Sequence, residues 1–145
     1  MKFAFGDSEH ERFVLDVLSY ERPVSGEYHD DNWLVVAMTV SVGGFTGRAG
    51  ATIVTDELVS FSEQLHVLYD RLTGSAEFST LESQLSLKLA GDGKGHIRLT
   101  GEVSDAAGIG NPLSFHLDFD QTLLQHSIHE LDSVLKAFPI RNAKA

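Results

Sequence analysis

Trp33-Leu34-Val35-Val36-Ala37-Met38-Thr39-Val40-Ser41-Val42 runs into Gly43-Gly44, then Phe45-Thr46-Gly47-Arg48-Ala49-Gly50-Ala51-Thr52-Ile53-Val54, then Thr55-Asp56-Glu57-Leu58. The first ten residues alternate with period two. Leu34, Val36, Met38, Val40 and Val42 form one face, and Trp33, Val35 and Ala37 the other. Both faces are apolar at the start, which predicts a central strand. Gly43-Gly44 is a hairpin turn, and the residues after it alternate again. At Thr55 the period changes to that of a helix. Leu58, Phe61, Leu65, Leu68 and Leu72 form one stripe, Thr55 stands where an N-cap belongs, Asp56 and Glu57 suit the positive end of the dipole, and Gly74 suits the C-terminal cap. A strand hairpin leading into an amphipathic helix is the unit from which the rest follows.

The same two periods recur on either side. Phe13, Leu15 and Val17 predict a strand near the N-terminus, and Lys2–Phe5 a short one before it. Leu85-Ser86-Leu87-Lys88-Leu89, Ile97-Arg98-Leu99-Thr100-Gly101-Glu102-Val103 and Leu113-Ser114-Phe115-His116-Leu117-Asp118-Phe119 alternate apolar and polar residues. Gly91-Asp92-Gly93-Lys94-Gly95 is a turn between the first two. Leu124, Ile128, Leu131, Leu135 and Phe138 form a second helical stripe, with Asp120 as its cap and Pro139 as its stop. No internal repeat is visible. Strands, helix, strands, helix is not a βαβ order, and polar-out alternation marks an antiparallel sheet with one wet face. The expected fold is α+β, a bent antiparallel sheet of about six to eight strands with two helices on its apolar face. A chain of 145 residues reads as one domain, 1–145, with a loose tail over 140–145.

Composition excludes several classes of function. No cysteine is present, so disulfides, thiolate zinc sites and a cysteine nucleophile are ruled out. The net charge is −10, which disfavours nucleic acid as a direct ligand and suits a cationic partner. Residues 1–32 hold eight acids against three bases, half of that net charge. The N-terminus has no apolar core of leader length, and no run approaches the ~20 apolar residues of a membrane span. The expected location is the cytoplasm.

No motif carries catalysis or binds a cofactor. Gly43–Gly47 lacks the Gly-Lys-Ser/Thr ending of a phosphate loop, and a strand follows it where that loop needs a helix. Gly91–Gly95 lacks the oxygen ligands of a calcium loop. No serine stands in a G-x-S-x-G elbow. His126 and His129, three apart on the second helix beside Glu130, match two ligands of a metal site but lack a third, so no metal is assigned. Two surfaces remain as candidate partner contacts. One is the polar loop before Trp33, with Glu27, Asp30 and Asp31. The other is the wet sheet face, with Arg98 and His116.

Trp33-x-Val35-x-Ala37, Gly43-Gly44-Phe45-x-Gly47, Asp56-Glu57-Leu58-x-x-Phe61-x-x-x-Leu65, Leu72-x-Gly74-x-Ala76-x-Phe78, Gly95-x-Ile97 and Leu135-x-x-Phe138-Pro139 together resemble the WapI-type immunity proteins. The resemblance runs from Trp33 to Pro139. It implies a cytoplasmic, non-enzymatic protein, made beside a polymorphic or contact-dependent toxin, that neutralises the toxin's C-terminal domain by binding it. The shared positions are turn glycines, core aromatics and a helix cap, so no functional residue carries over. The alternative expectation is a small-molecule-binding or accessory domain with a pocket between sheet and helices.

Overall fold

The computed structural model describes residues 1–142. The strands are β1 (Lys2–Ser8), β2 (Glu11–Tyr20), β3 (Trp33–Val42), β4 (Phe45–Val54), β5 (Thr73–Ser79), β6 (Leu85–Asp92), β7 (His96–Ser104) and β8 (Pro112–Asp120). The helices are α1 (Tyr28–Asp31), α2 (Thr55–Arg71) and α3 (Gln121–Ala137). The antiparallel α+β class holds, with the eight strands divided equally between two meanders, β1-β2-β3-β4 and β5-β6-β7-β8. Helix α1, a single turn, lies where the sequence reading placed a loop.

Alternation set the registers as expected. Leu85, Leu87, Leu89, Ile97, Leu99, Val103, Phe115 and Leu117 are buried, while Lys88, Arg98 and Asp118 are exposed. A one-residue slip would put each of these on the wrong side of the sheet. Strand β3 is central, paired with β2 and β4, and Leu34, Val36, Met38 and Val40 are buried. Trp33, Val35 and Ala37, on its other face, are half-buried. Two aromatic stacks join the sheets: Phe5 with Phe119 at 6.1 Å and Phe13 with Phe115 at 5.9 Å. Phe61 of α2 meets the edge of Phe5. All belong to one buried cluster that both meanders and both long helices share.

The element order holds a duplication that the sequence does not show. Each half is a four-stranded meander followed by a 17-residue helix, with α1 an insertion in the first half. Each helix covers the first strand of the other half. Gln64 of α2 bonds both backbone groups of Glu77 on β5, accepting from N–H at 2.9 Å and donating to the carbonyl at 3.2 Å. On β1, Glu130 of α3 accepts from Ala4 N–H at 3.1 Å and Ser127 donates to the Ala4 carbonyl at 2.5 Å. Unpaired groups on an edge strand invite pairing with another chain. Here the helix side chains satisfy them.

Both ends of α2 differ from expectation. Val54, with no hydroxyl to offer, occupies the N-cap; Glu57 accepts from its N–H at 2.9 Å. Thr55 is the first helical residue and is fully buried, its hydroxyl donating to the Asn32 carbonyl at 3.1 Å. At the other end Leu72, with φ 58°, takes the left-handed position, and Gly74 lies inside β5. Leu72 is fixed there because its carbonyl accepts from Gly93 N–H at 2.7 Å, and Gly91 permits the approach: a β-carbon on Gly91 would lie 2.4 Å from that carbonyl oxygen. The cap of α3 is as expected, with Asp120 accepting from Leu123 N–H at 3.1 Å. The tail expected to be loose from Ile140 onward is instead fastened at Arg141, and residues 143–145 of it lie outside the described residues.

Candidate functional site

The polar segment before β3 is a small folded unit. Asn32, fully buried, is its anchor: it accepts Thr55 N–H and hydroxyl on its carbonyl and donates its side-chain amide to the carbonyls of Tyr28 and Arg141. Asp31 is also fully buried. Its carboxylate accepts the Ser25 hydroxyl at 2.7 Å, the Ser25 N–H at 2.8 Å, the Gly26 N–H at 3.0 Å and the Asn142 side-chain amide. These bonds, the Ser25 hydroxyl foremost, hold the Asp31 carboxyl below the usual aspartate range. The structure thus places Asp31, a candidate partner contact in the sequence, inside the loop and away from the surface. Its oxygens are taken up in shaping the loop, because turn-forming Ser25 and Gly26 have no strand to satisfy their donors.

Glu27 and Asp30 do reach the surface. Glu27 is exposed at the start of α1, and Asp30 pairs with Arg22 at 3.0 Å with half of each side chain in solvent. The Tyr28 hydroxyl crosses to α2 and donates to the Asp56 carboxylate at 2.8 Å, which raises the Tyr28 pKa. The helix start thus lies against the loop, and Asp56 and Glu57 extend the acidic surface begun by Glu27 and Asp30. A shallow groove of about 290 Å³ continues from there, lined by Asp56, Glu57, Ser60, Glu77, Phe78 and Ser79. Burial raises the Glu57 pKa, the chief cause being lost hydration.

Glu77 and Ser79 also border a wider hollow of about 610 Å³ on the outer face of the second sheet, which reaches Lys88, Thr100, Glu102 and His116. The two candidate surfaces are thereby contiguous at β5. Lys88, Arg98 and His96 on the sheet face are matched by acids. Lys88 stands 4.0 Å from Glu77. Arg98 is exposed and grips Asp118 with two bonds, 2.9 and 3.0 Å, which raises its own pKa and lowers that of Asp118. His96 reaches the same carboxylate at 3.2 Å. His116 is exposed opposite Thr100 in the strand register.

Sequence reasoning missed one side-chain cluster. Asp132 of α3 accepts the Ser62 hydroxyl at 2.8 Å and faces His66 Nε2 at 2.9 Å. The carboxylate stands between hydroxyl and imidazole, whereas activating a serine needs the imidazole between them. The cluster clamps α2 to α3. His126 lies 3.7 Å from Glu130 on an exposed helix face. Among the described residues no three histidine, aspartate or glutamate side chains are grouped to hold a metal. A depression of about 320 Å³ lies between β1 and α3, lined by Asp7, Glu9, Arg12, His126 and Glu130 among others. Among the described residues no helix is long and apolar enough to cross a membrane.

The profile of the WapI-like immunity protein family matches residues 3–139. The chain belongs to that family. In this member of the WapI-like immunity protein family the match extends into the N-terminal third, where β1 and β2 lie. No curated protein matches the chain. Among solved structures, the Trypanosoma brucei MRP1/MRP2 crystal structures align over 94% of this chain and 83% of theirs, at 11% identity and a TM-score of 0.49. That likeness is too distant to bear on function.

Proposed function

We propose that this protein neutralises a cognate toxin domain in the cytoplasm by binding it, with no chemistry of its own, and that the toxin domain is cationic. Membership of the WapI-like immunity family carries the reading. The contact surface we assign is the acidic face built by Glu27 at the N-cap of α1 and Asp30 within it, Asp56 and Glu57 at the start of α2, and Glu77 on β5, continuing onto the sheet face with Arg98 and His116. Lys88 and Arg98 are already paired with carboxylates, and acids outnumber bases there, so a basic partner is the electrostatic complement.

The test is co-expression with the toxin domain encoded in the adjacent reading frame, followed by binding kinetics at two salt concentrations. Protection of the host and fast association that slows as salt rises are expected. Absence of binding or protection ends the immunity reading. Tight but salt-independent binding keeps it and removes the electrostatic account.

A further inference from the structure

The C-terminal segment after α3 is built into the acidic face. Phe138 packs edge-on to Tyr20 at 5.5 Å, and the Tyr20 hydroxyl donates to the Pro139 carbonyl at 2.5 Å. Arg141 then lies over the Tyr20 ring, its guanidinium carbon 3.7 Å from the centroid. From there Nε and Nη2 donate to the Asp31 carbonyl at 2.9 and 2.7 Å, and Nη2 also donates to the Arg22 carbonyl at 2.8 Å. The Arg141 backbone closes the clasp, its N–H on the Asn32 side chain at 2.8 Å and its carbonyl taking the Asn32 amide at 2.9 Å. Arg22 and Asp31 bracket the segment that carries Glu27 and Asp30. One guanidinium therefore bonds both ends of the loop, while no carboxylate bond engages Arg141 among the described residues. A planar fork stacked on an aromatic ring is a geometry that lysine does not reproduce.

We infer that Arg141 is a positioning residue for partner binding: it closes the 22–31 loop from behind and presents Glu27 and Asp30 in a pre-ordered arrangement. The inference rests on the binding reading above. A loop ordered before encounter loses less conformational freedom on binding, so the complex holds longer. Loss of the clasp has an effect on kinetics opposite to that of loss of charge. Arg141→Ala makes the protein one charge more negative, so simple electrostatics predicts equal or faster association with a cation. Release of the loop predicts faster dissociation.

The experiment uses the full chain with Arg141→Ala and Arg141→Lys, read in two ways. Hydrogen exchange on the free protein should show the 22–31 amides exchanging faster in Arg141→Ala while those of β3 and β7 keep their protection. Binding to the purified toxin domain of the adjacent reading frame should show dissociation faster by about tenfold with association unchanged or faster. Arg141→Lys should restore charge and leave dissociation fast. Unchanged exchange in 22–31, or dissociation rates equal to wild type in both variants, overturns the inference and leaves the immunity reading intact. Exchange that rises throughout the chain also overturns it, since Arg141 would then be a general stabilising residue. Wild-type protein that does not bind removes the reading and the inference together.

Discussion

The ring of Phe115 lies across Gly101, its partner in the β7–β8 register: a β-carbon on Gly101 would come within 2.6 Å of Phe115 Cζ and 3.0 Å of Leu87 Cδ2. The missing side chain lets that ring settle against the sheet while stacking on Phe13 of the other meander. Gly101→Ala should therefore destabilise the protein by ~1–3 kcal/mol through overpacking. Denaturant midpoints measure it, and an unchanged midpoint would mean that the ring has room to move.

Leu65 sits mid-stripe on α2 and is fully buried. Leu65→Ala should cost ~2–5 kcal/mol, the sum of lost burial and an unfilled cavity. Chemical denaturation with an unchanged m-value is the appropriate measurement.

Acid should weaken the fold partly through Asp31. Its carboxyl titrates below the usual aspartate range in the native state, so the unfolded chain binds a proton first as the pH falls. The stabilisation is complete above the unfolded value and is lost as the pH drops through the native one. Asp92, Asp105 and Asp118 are shifted the same way and contribute to the same acid limb; Glu57 is shifted the other way. Asp31→Asn should lower the stability near neutral pH and flatten that limb without abolishing it. A pH series of thermal midpoints in which wild type and Asp31→Asn run parallel would refute the assignment.

Charge on the acidic face should act on encounter. Glu27→Ala with Asp30→Ala should slow association with the toxin domain several-fold at low salt, with the difference closing as salt rises. Stability should change little, because the Asp30–Arg22 pair is half in solvent. Asp31 is left out of this variant, since removing it would alter the shape of the loop along with the charge. Stopped-flow association rates at two ionic strengths decide the matter.

A fifth measurement concerns chemistry. Elemental analysis should find no stoichiometric metal, and His126→Ala should leave stability and binding as they are, because His126 is exposed and pairs only loosely with Glu130. One zinc per chain, lost in that variant, would contradict this.

Strand faces and helix stripes were legible because burial acts on single side chains at fixed spacing. Leu87, Leu89 and Leu99 point inward whatever their sheet packs against. The class, the hairpin at Gly43-Gly44 and the cap at Asp120 followed from local chemistry alone. The acids Glu27 and Asp30 were legible as surface charge for the same reason.

Tertiary structure decided what depends on partners distant in sequence. The division of the strands into two sheets, which meet where Phe5 stacks on Phe119 and Phe13 on Phe115, joins partners remote in sequence. The duplication is hidden because the two halves share an arrangement of backbone while the covering side chains differ: one glutamine on α2, a serine and a glutamate on α3. Asp31 and Asp30 are neighbours of one type, yet only the fold brings Arg141 and Asn142 across more than a hundred residues to bury one and leave the other wet. Residue type and spacing determined which groups seek burial. The meeting of remote segments determined which carboxylate shapes the loop and which stay in solvent.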